Sequence, residues 1–417
     1  LAAKQTFNLF PVRRAIPFVG QTRWNVGGRK SVKVVKKSAN TGDCVLFAIR
    51  RTDNHSKAKG KKVKSSCRGR TNKRKEKAML LYGGMDLHGD NVFCSLLDEK
   101  YDVVYERRFP NDLQTILQAL EPFRERLKGL AVESTYNWYW LVDGLQANEY
   151  PALLANPARM QENSGLKKAD DKTDARFLAK QVAMGVLPQG YIYPREQRSL
   201  RDLLRRRLTL VHARTAEWLR LESLVARHTG RDLGLRALDT MSEDELKELL
   251  GKDELVLAMA RMSYEHIEFL NGKIKTIEDV VEPRVRLVEN YAHLLSAPGI
   301  GRILGMTIRL ETGPIGRFPG PGNYASYCRA VKTEHTSNGK KKGAGNSKSG
   351  NRYLAWAYME AANFAVRYSP ELRAWYQRKA AKTKRVVALG ALTNKLSKAC
   401  FFIMRDGVDF DVKKLIG

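Results

Sequence analysis

The feature that most constrains the fold of this chain is a series of three short apolar segments that begins at residue 79. The segments read "MLLYGGMDLHGD", "NVFCSLLDE" and "YDVVYERRF". Turn residues separate them, and none is long enough to be an ordinary helix of a protein core. Short apolar runs bounded by turns predict an antiparallel meander of three strands.

The segments after the meander alternate between helix and strand patterns. A stretch with apolar residues at helical spacing comes first, behind a capping Asn111. "GLAVEST" then predicts a buried strand, "YNWYWLVDGLQA" a helix and "YPALLANP" another strand. Three strands, helix, strand, helix and strand is an order that predicts an α/β domain, which we place over residues 79 to 190.

Residues 191 to 290 carry a different pattern, which predicts a helical arm. Two long stretches have apolar residues three, four, seven or eight positions apart, as on one face of a helix. The apolar residues are Leu200, Leu204, Leu208, Val211, Trp218, Leu221 and Val225 in the first stretch, and Leu255, Met259, Met262, Leu270, Ile274, Ile277 and Val281 in the second. An antiparallel arm of this kind commonly pairs subunits. Packing of the two helices within one subunit is the alternative.

The charge of the chain predicts a polyanionic partner. There are 74 Lys and Arg against 44 Asp and Glu, which gives a formal net charge of +30. A charge of this size favours nucleic acid as the partner. The charge is uneven, since residues 1 to 78 alone carry 22 Lys and Arg against 3 acids.

Residues 1 to 78 show no sustained apolar period, so they do not enter the fold prediction. One interpretation is a disordered basic arm that adds affinity for nucleic acid. The favoured interpretation is translation from upstream of the native start, because the chain begins with Leu1 and Met79 stands directly before the first strand.

The cysteines and histidines give no sign of a zinc site or a disulfide framework. The five cysteines lie far apart, and the seven histidines form no His-x-x-x-His or mixed Cys/His cluster. A reducing cytoplasm is therefore the expected setting. No apolar run reaches 18 residues, so the sequence does not predict a membrane protein.

Four acidic residues stand out because of their places in the predicted elements. Asp86 lies in the middle of the first strand, and Glu133 ends the strand "LAVEST". Asp171 and Asp174 are three residues apart at the start of a helix, which puts them on one helix face. An RNase H-like sheet is a fold in which a strand Asp, a second-strand Glu and such a helical pair converge.

Metal binding would offset the cost of burying these carboxylates, which is high for a carboxylate without a partner. Two Mg²⁺ or Mn²⁺ ions about 4 Å apart can clamp the attacking and leaving oxygens of a phosphodiester, and they need about four hard oxygen ligands. The four acids therefore predict a two-metal site for phosphoryl transfer. Asp90, Asp98 and Asp170 are expected to be surface acids or caps instead.

Residues 333 to 356, "TEHTSNGKKKGAGNSKSGNRYLAW", predict a positively charged loop in front of an apolar helix. Glycine lets backbone N–H groups approach an anion closely, and lysine attracts the anion. The cations expected to contact DNA or RNA phosphates are Lys340, Lys341, Lys342, Lys348 and Arg352. Upstream, "PGIG" resembles a helix-hairpin-helix turn, so Gly299 and Gly301 are expected to offer backbone amides to phosphate.

The loop offers several hydroxyl groups as candidate nucleophiles. These are Thr336, Ser337, Ser347 and Ser349. Ser347 and Ser349 flank a lysine and suit phosphate binding, whereas Ser337 follows the apolar segment "YASYCRAV", which could hold it still, so position favours Ser337. His335 is a candidate proton acceptor, but residues i and i+2 of a loop often point apart. A metal site of another subunit is the favoured activator.

Six segments in chain order carry a family resemblance. They are "GMDLHGD", "AVESTYNW", "DDKTDARFLA", "PGIG", "TSNGKKKGAGN" and "SKSGNRYLAW". Together they resemble the DEDD transposases of the insertion-sequence family one-hundred-and-ten, specifically its eleven-eleven branch, and the resemblance covers residues 79 to 417. Members of this family are recombinases guided by a structured bridge RNA.

The resemblance implies a role for each candidate residue. Asp86, Glu133, Asp171 and Asp174 would form the DEDD metal site of a RuvC-like domain. Ser337 would be the nucleophile that joins covalently to a DNA end, in a mainly α-helical transposase domain over residues 291 to 417. The implied partners are donor and target DNA and a structured guide RNA, in the nucleoid of a bacterial or archaeal cell.

The leading hypothesis is a recombinase that works as a dimer or tetramer joined through the arm, with an active site shared between subunits. One alternative is a RuvC-like structure-specific nuclease that uses metal-activated water and forms no covalent intermediate. The other is a nucleic-acid-binding protein without catalytic activity.

Overall fold

The computed structural model describes residues 79–160, 170–251, 253–343 and 349–416 of the chain. The predicted basic extension, residues 1 to 78, lies outside these ranges, as do Ser347 and Lys348. Three regions follow one another within the described residues: a sheet with its helices, a pair of long helices, and a mainly helical C-terminal region.

A five-stranded mixed sheet forms the first region. Its strands are β1 (Leu81–Leu87), β2 (Asn91–Leu97), β3 (Val103–Pro110), β4 (Leu127–Glu133) and β5 (Ala152–Ala155), and its helices are α1 (Leu113–Leu120), α2 (Tyr139–Ala147) and α3 (Asp171–Ala183). The strand order is β3-β2-β1-β4-β5, with β1, β2 and β3 antiparallel and β4 and β5 parallel to β1. This arrangement confirms the predicted α/β class, and it is the strand order of an RNase H-like sheet.

The start of α1 differs from the prediction by one residue. Asp112, not Asn111, is the N-cap, and its side chain accepts a hydrogen bond of 2.7 Å from the Thr115 amide. The Asn111 side chain instead donates to the carbonyl oxygens of His88 and Gly89 at 3.1 and 3.0 Å. Asn111 therefore ties the turn after β1 to the start of α1. Asp170 caps α3 as predicted, accepting from the Thr173 amide at 2.9 Å.

Helix α3 lies directly against one face of the sheet because that face has almost no side chains beneath it. Gly84 of β1 and Gly129 and Ala131 of β4 lie under the helix. A Cβ atom at Gly84 would come within 2.0 Å of the Ala175 carbonyl oxygen. The approach of helix backbone to strand backbone therefore requires glycine at position 84, and it brings the first turn of α3 to the carboxyl ends of β1 and β4.

Two long helices form the arm. They are α4 (Arg195–Thr229) and α7 (Glu254–Arg286), and two short helices join them, α5 (Gly234–Thr240) and α6 (Glu243–Leu250). The long helices pack against each other along their length, with Leu204, Ile277 and Val281 buried near one end of the pair. Trp218 and Ile267 are buried towards the other end, where the short helices also pack.

Part of the predicted apolar face of α7 is exposed. Leu255, Met259 and Met262 are 77%, 46% and 67% exposed, whereas Leu270 and the residues that follow it in the predicted face are buried. The reason is that α5 and α6 pack at the end of the arm, where Val256, Ala260 and Ile267 form the buried face instead. Phe269 continues the exposed apolar residues, at 58% exposure.

The C-terminal region is mainly helical and has one small hairpin. Its elements are α8 (Tyr291–Leu294), α9 (Arg302–Thr312), α10 (Pro321–Tyr327), β6 (His335–Ser337), β7 (Lys340–Gly343), α11 (Arg352–Tyr368), α12 (Pro370–Lys382), α13 (Arg385–Asp406) and α14 (Val412–Ile416). Tyr324, Tyr358 and Leu392 are fully buried members of its core, in which α10, α11 and α13 meet.

Helix α13, Arg385–Asp406, is the one helix among the described residues that is long and apolar enough to cross a membrane. Nearly half of the apolar stretch is buried inside the protein. Leu392, Leu396 and Cys400 belong to the C-terminal core. The length and composition of α13 are therefore those of a central core helix.

A buried carboxylate joins the arm to the C-terminal region. Glu311 of α9 is 2% exposed and accepts two hydrogen bonds from the Arg205 guanidinium of α4, at 2.5 and 2.7 Å. Its Oε2 also accepts from the Asn351 amide at 2.6 Å. Asn351 caps α11, accepting from the Tyr353 and Leu354 amides. Three elements distant in the chain thus meet at one side chain, Glu311, which we call the junction carboxylate.

Candidate metal site and serine hairpin

Strand pairing places four residues, one from each of β4, β1, β2 and β3, in one row across the sheet. Met85 pairs with Val132, so Asp86 and Glu133 are neighbours on β1 and β4 and lie on the face that α3 covers. On the other side of Asp86 the row continues through Phe93 to Arg108. The sheet therefore fixes the two strand carboxylates side by side, with a cation at the far end of the row.

The first turn of α3 supplies further acids above this row. Ligand atoms of Asp86, His88 and Asp171 all lie within 4.8 Å of one another. His88 Nε2 is 3.1 Å from Asp86 Oδ2 and 3.4 Å from Asp171 Oδ1. Asp86 is buried while His88 is half-exposed, so the cluster is open to solvent on the histidine side.

This environment strongly changes the pKa of Glu133. Burial, a hydrogen bond with Asp86, and the negative charges of Asp86 and Asp174 raise the pKa of Glu133 to about 7. Each of these causes favours the neutral carboxyl group over the carboxylate. Asp174 is therefore within electrostatic reach of Glu133, and the structure brings all four predicted acids to one end of the sheet.

Asp171 has a cation of its own. Arg108 donates to Asp171 Oδ2 at 2.5 Å and lowers the pKa of that carboxyl, with help from the charge of His88. The guanidinium lies 5.7 Å from the centre of the Phe93 ring, across which it reaches from β3 to α3. A second cross-link holds the helix in the same way, since Arg176 donates to both oxygens of Glu106 at 2.5 and 2.8 Å.

The donor set fits a divalent metal. Three buried or half-buried carboxylates and an imidazole stand close together, and hard oxygen ligands are what Mg²⁺ and Mn²⁺ prefer. Burial first, and then the hydrogen bond and the charges of the neighbouring acids, raise the pKa of Glu133 in the absence of a cation. A bound cation would replace the proton that the raised pKa favours on Glu133.

Two residues of this site were missed by sequence reasoning. His88 could have been found, because residues i and i+2 at a strand end share a face and His88 follows Asp86 by two. Arg108 gave no usable signal, because its place beside Asp171 depends on the register of three strands. Asn137 supports the histidine indirectly by donating to the His88 carbonyl oxygen at 2.9 Å.

The segment that carries Ser337 is a β-hairpin, not the loop that the sequence predicted. Ser337 of β6 pairs with Lys340 of β7, and Asn338 and Gly339 form the turn with φ values of +50° and +69°. Two consecutive left-handed residues form a type I′ turn, and Asn-Gly is its preferred pair. The hydrophilic composition of the segment masked this signal. Ser337 is half-buried.

The hairpin also contains the neighbours of Ser337. His335 begins β6, and its role as proton acceptor stays a prediction. Lys340 and Lys342 are exposed on β7, which keeps them available to phosphate. The role of Ser337 as nucleophile stays a prediction.

The chain is firmly held where it returns from the hairpin to α11. The Gly350 carbonyl oxygen accepts two hydrogen bonds from the Arg329 guanidinium, at 3.2 and 3.0 Å. Asn351 donates its backbone N–H to Tyr327 and its side chain to the junction carboxylate, Glu311. The predicted phosphate contact Arg352 follows as the first residue of α11, and its guanidinium lies against Tyr353.

The two glycines of the predicted helix-hairpin-helix turn have different surroundings. A Cβ atom at Gly299 would lie 2.2 Å from the Ala361 carbonyl oxygen, so this glycine serves the packing of the turn on α11. A Cβ atom at Gly301, the N-cap of α9, would meet nothing within 4 Å. Binding of phosphate at these two positions stays a prediction, and the surroundings favour Gly301.

Comparisons with known proteins match both the sheet region and the C-terminal region. Residues 83–229 match a family model of DEDD transposases of the IS110 type, and residues 291–377 match the model described as "Transposase IS116/IS110/IS902 family". The first match contains all four acids, and the second contains the serine hairpin. The first also extends along α4 of the arm to its last residue.

Two curated relatives carry transposase names. A protein of Pseudomonas aeruginosa described as "Probable family 20 transposase" is 24% identical over 203 residues, which is 47% of this chain and 59% of the relative. A protein of Sinorhizobium fredii named as transposase y4qE is 21% identical over 242 residues, which is 57% of each chain. The chain thus spans less than two thirds of the length of either relative.

Proposed function

This chain belongs to the IS110 family of DEDD transposases, and we propose on that basis that it cleaves and rejoins DNA strands through a covalent bond to Ser337. The observation that carries the proposal is the meeting of Asp86, Glu133, Asp171 and Asp174 at one end of an RNase H-like sheet. A single surface acid is not buried beside other acids, so its pKa would not be raised as the pKa of Glu133 is.

Each group of residues has a place in the proposed reaction. Asp86, Glu133, Asp171 and Asp174 would hold divalent metal, which supplies positive charge to stabilise the phosphate in the transition state. The lysines of β7 would hold the DNA backbone near the hairpin. The Ser337 Oγ–P bond forms while the bond from phosphorus to the departing DNA oxygen breaks, and attack by another DNA hydroxyl reverses the step and joins new ends.

We propose that Ser337 and the acids that activate it come from different subunits. The serine and the acids belong to separate regions of the chain, with the arm between them in sequence. Assembly is then required for the chemistry as well as for stability. Donor and target DNA and a structured guide RNA are the proposed partners, in the cytoplasm, and the guide RNA rests on the family resemblance alone.

The exposed apolar residues of α7 support assembly through the arm. Leu255, Met259, Met262 and Phe269 are separated by four, three and seven residues, which is the spacing of a coiled-coil seam. A second copy of the arm is the proposed occupant of this seam.

We expect Met262→Glu to weaken self-association by at least about tenfold, because it places a charge in an apolar seam at a cost of at least about 1.4 kcal/mol. Sedimentation velocity over a range of protein concentrations measures the change. Arg227→Glu on α4 is the matched control, since Arg227 is exposed and outside the seam. If the two variants self-associate equally, the seam does not form the interface between copies.

The decisive test of the proposed function is Ser337→Ala. The variant should form no covalent protein–DNA adduct and no strand-transfer product in Mg²⁺, whereas Ser349→Ala, which removes a rival hydroxyl close by in the chain, should form both. Denaturing gels with labelled DNA measure the adduct. A Ser337→Ala protein that still cleaves DNA without forming an adduct would instead establish the structure-specific nuclease.

A further inference from the structure

The positive charge of the described regions is concentrated in the C-terminal region. Residues 79–194 carry 12 Lys and Arg against 16 Asp and Glu, and residues 195–290 carry 18 against 18. Residues 291–417 carry 22 against 7. The sheet region and the arm therefore add no net positive charge. Within residues 79–417, the net positive charge that attracts a polyanion belongs to the C-terminal region.

Within this region, one stretch has cations without any acids. Residues 372–405 contain nine Lys and Arg and no Asp or Glu. Five of the nine are grouped at the corner between α12 and α13, which we call the basic corner. They are Arg378, Lys379, Lys382, Lys384 and Arg385, and all five are exposed.

The cations of the basic corner are not there to stabilise the fold. Among the described residues, none of the five is in an ion pair, although many other Lys and Arg side chains are. Lys384 and Arg385 stand at the start of α13, where a positive charge opposes the helix dipole. Five exposed like charges in eight residues repel one another, and an anionic partner would relieve this repulsion.

The basic corner is separate from the proposed reaction site. It lies beyond residue 377, where the family match ends, and its residues belong neither to the serine hairpin nor to the acid cluster. The nearest preceding aromatic residues in the chain, Trp375 and Tyr376, are half-buried, and Trp375 packs against the C-terminal core. Unpaired bases are commonly bound by stacking on aromatic side chains, so the composition of the corner favours the backbone of a duplex.

We propose that the basic corner binds the phosphate backbone of duplex DNA, outside the serine hairpin and the acid cluster. This inference rests on the proposed function, because a recombinase must hold duplex DNA on both sides of the cleaved bond. The chemistry needed is that of several ammonium and guanidinium groups facing successive phosphates, which gives affinity without sequence preference.

The test removes three positive charges and leaves a polar side chain at each position. In the full chain, Lys382→Gln, Lys384→Gln and Arg385→Gln are combined, and the matched control combines Arg227→Gln, Arg231→Gln and Arg236→Gln at exposed positions of the arm. Binding to a labelled duplex DNA of random sequence is measured over a range of salt concentrations. The corner variant should have a slope of log affinity against log salt that is smaller by about 2 to 3, since each lost phosphate contact contributes about 0.9. The control should keep the slope of the unaltered protein.

The outcomes separate this inference from the proposed function. An unchanged salt slope in the corner variant, with duplex binding intact in the unaltered protein, overturns the inference alone. Loss of binding to a structured RNA with no loss for duplex DNA also overturns it, because the partner of the corner would then be RNA. If the unaltered protein binds no duplex DNA at all, the proposed function itself fails. Equal thermal unfolding of both variants establishes that the fold is intact.

Discussion

Asp86→Asn should lower the rate of Mg²⁺-dependent DNA cleavage by about a thousandfold or more, which corresponds to roughly 4 kcal/mol in the activation barrier. Asp86 is the buried member of the cluster; it shares a hydrogen bond with Glu133, and its ligand atom lies within 4.8 Å of one of Asp171. An amide in its place is neutral, so it loses most of the attraction for a divalent cation while keeping the shape of the side chain.

The same variant should change stability in the opposite sense in the absence of metal. Burial is the main cause that raises the pKa of Glu133 to about 7, and the charge of Asp86 adds to it, so removing that charge should leave the metal-free protein at least as stable as before. The rise in the unfolding temperature that Mg²⁺ gives to the unaltered protein should be lost, because a ligand that binds only the folded state stabilises it. Thermal unfolding with and without Mg²⁺ measures both effects.

Asp90→Asn is the matched control for this prediction. Asp90 is an exposed acid four residues along the chain whose carboxylate accepts from Asn91. It should keep both cleavage and the response to Mg²⁺. A fully active Asp86→Asn protein would show that the acid cluster is not the metal site of the cleavage reaction.

Glu311→Ala should lower the free energy of unfolding by about 3–5 kcal/mol, because it leaves the largely buried guanidinium of Arg205 with only a longer carboxylate contact, to Asp202 at 3.7 Å. Only 29% of the Arg205 side chain is exposed, while Glu311 is 2% exposed. The Asn351 amide loses its acceptor as well, so the cap of α11 behind the serine hairpin should loosen. Urea unfolding measures the stability.

A double variant separates two free energies: the penalty for leaving one charge of the pair without its partner, and the net contribution of the intact ion pair to stability. Replacing both partners by apolar residues removes the stranded charge, so Arg205→Met combined with Glu311→Leu should be clearly more stable than Glu311→Ala. If the single and double variants are equally unstable, the loss comes from packing at α9 and not from the charge. In either case hydrogen exchange at the α11 amides reports whether the cap has loosened.

The elements of the sheet region were predictable because their signals are local. Apolar runs bounded by turns gave three strands, and the later strands and helices followed from their own periodicity and turn residues. The cap of α1 was assigned one residue too early, at Asn111, because both Asn111 and Asp112 are good caps and only the contact of Asn111 with the turn after β1 separates them.

The arm shows the limit of this reasoning. Two long amphipathic helices are visible from spacing alone, but the sequence cannot say which apolar residues the short helices α5 and α6 will cover. Leu255, Met259 and Met262 share a periodicity with buried Leu270 and are nevertheless exposed. Their exposure is decided by neighbours in space, and it is what suggests a second copy of the arm.

The serine hairpin was missed although its turn has a strong local signal. Asn338-Gly339 is the preferred pair for a two-residue turn, but the lysines and glycines around it have low strand propensity and predicted a loop. In this segment the turn preference of Asn-Gly outweighs the low strand propensity of the flanking residues.

By itself the sequence determined the order of the elements, the concentration of charge, and the place of each of the four acids in a strand or at the start of a helix. Those properties depend on residues a few positions apart, whose geometry the backbone fixes. Only the tertiary structure decided that His88 and Arg108 join the acids and that Glu311 ties the arm to the chain behind the serine hairpin. These contacts join residues up to 106 positions apart, and strand register and helix packing, which no local pattern specifies, set the distance between them.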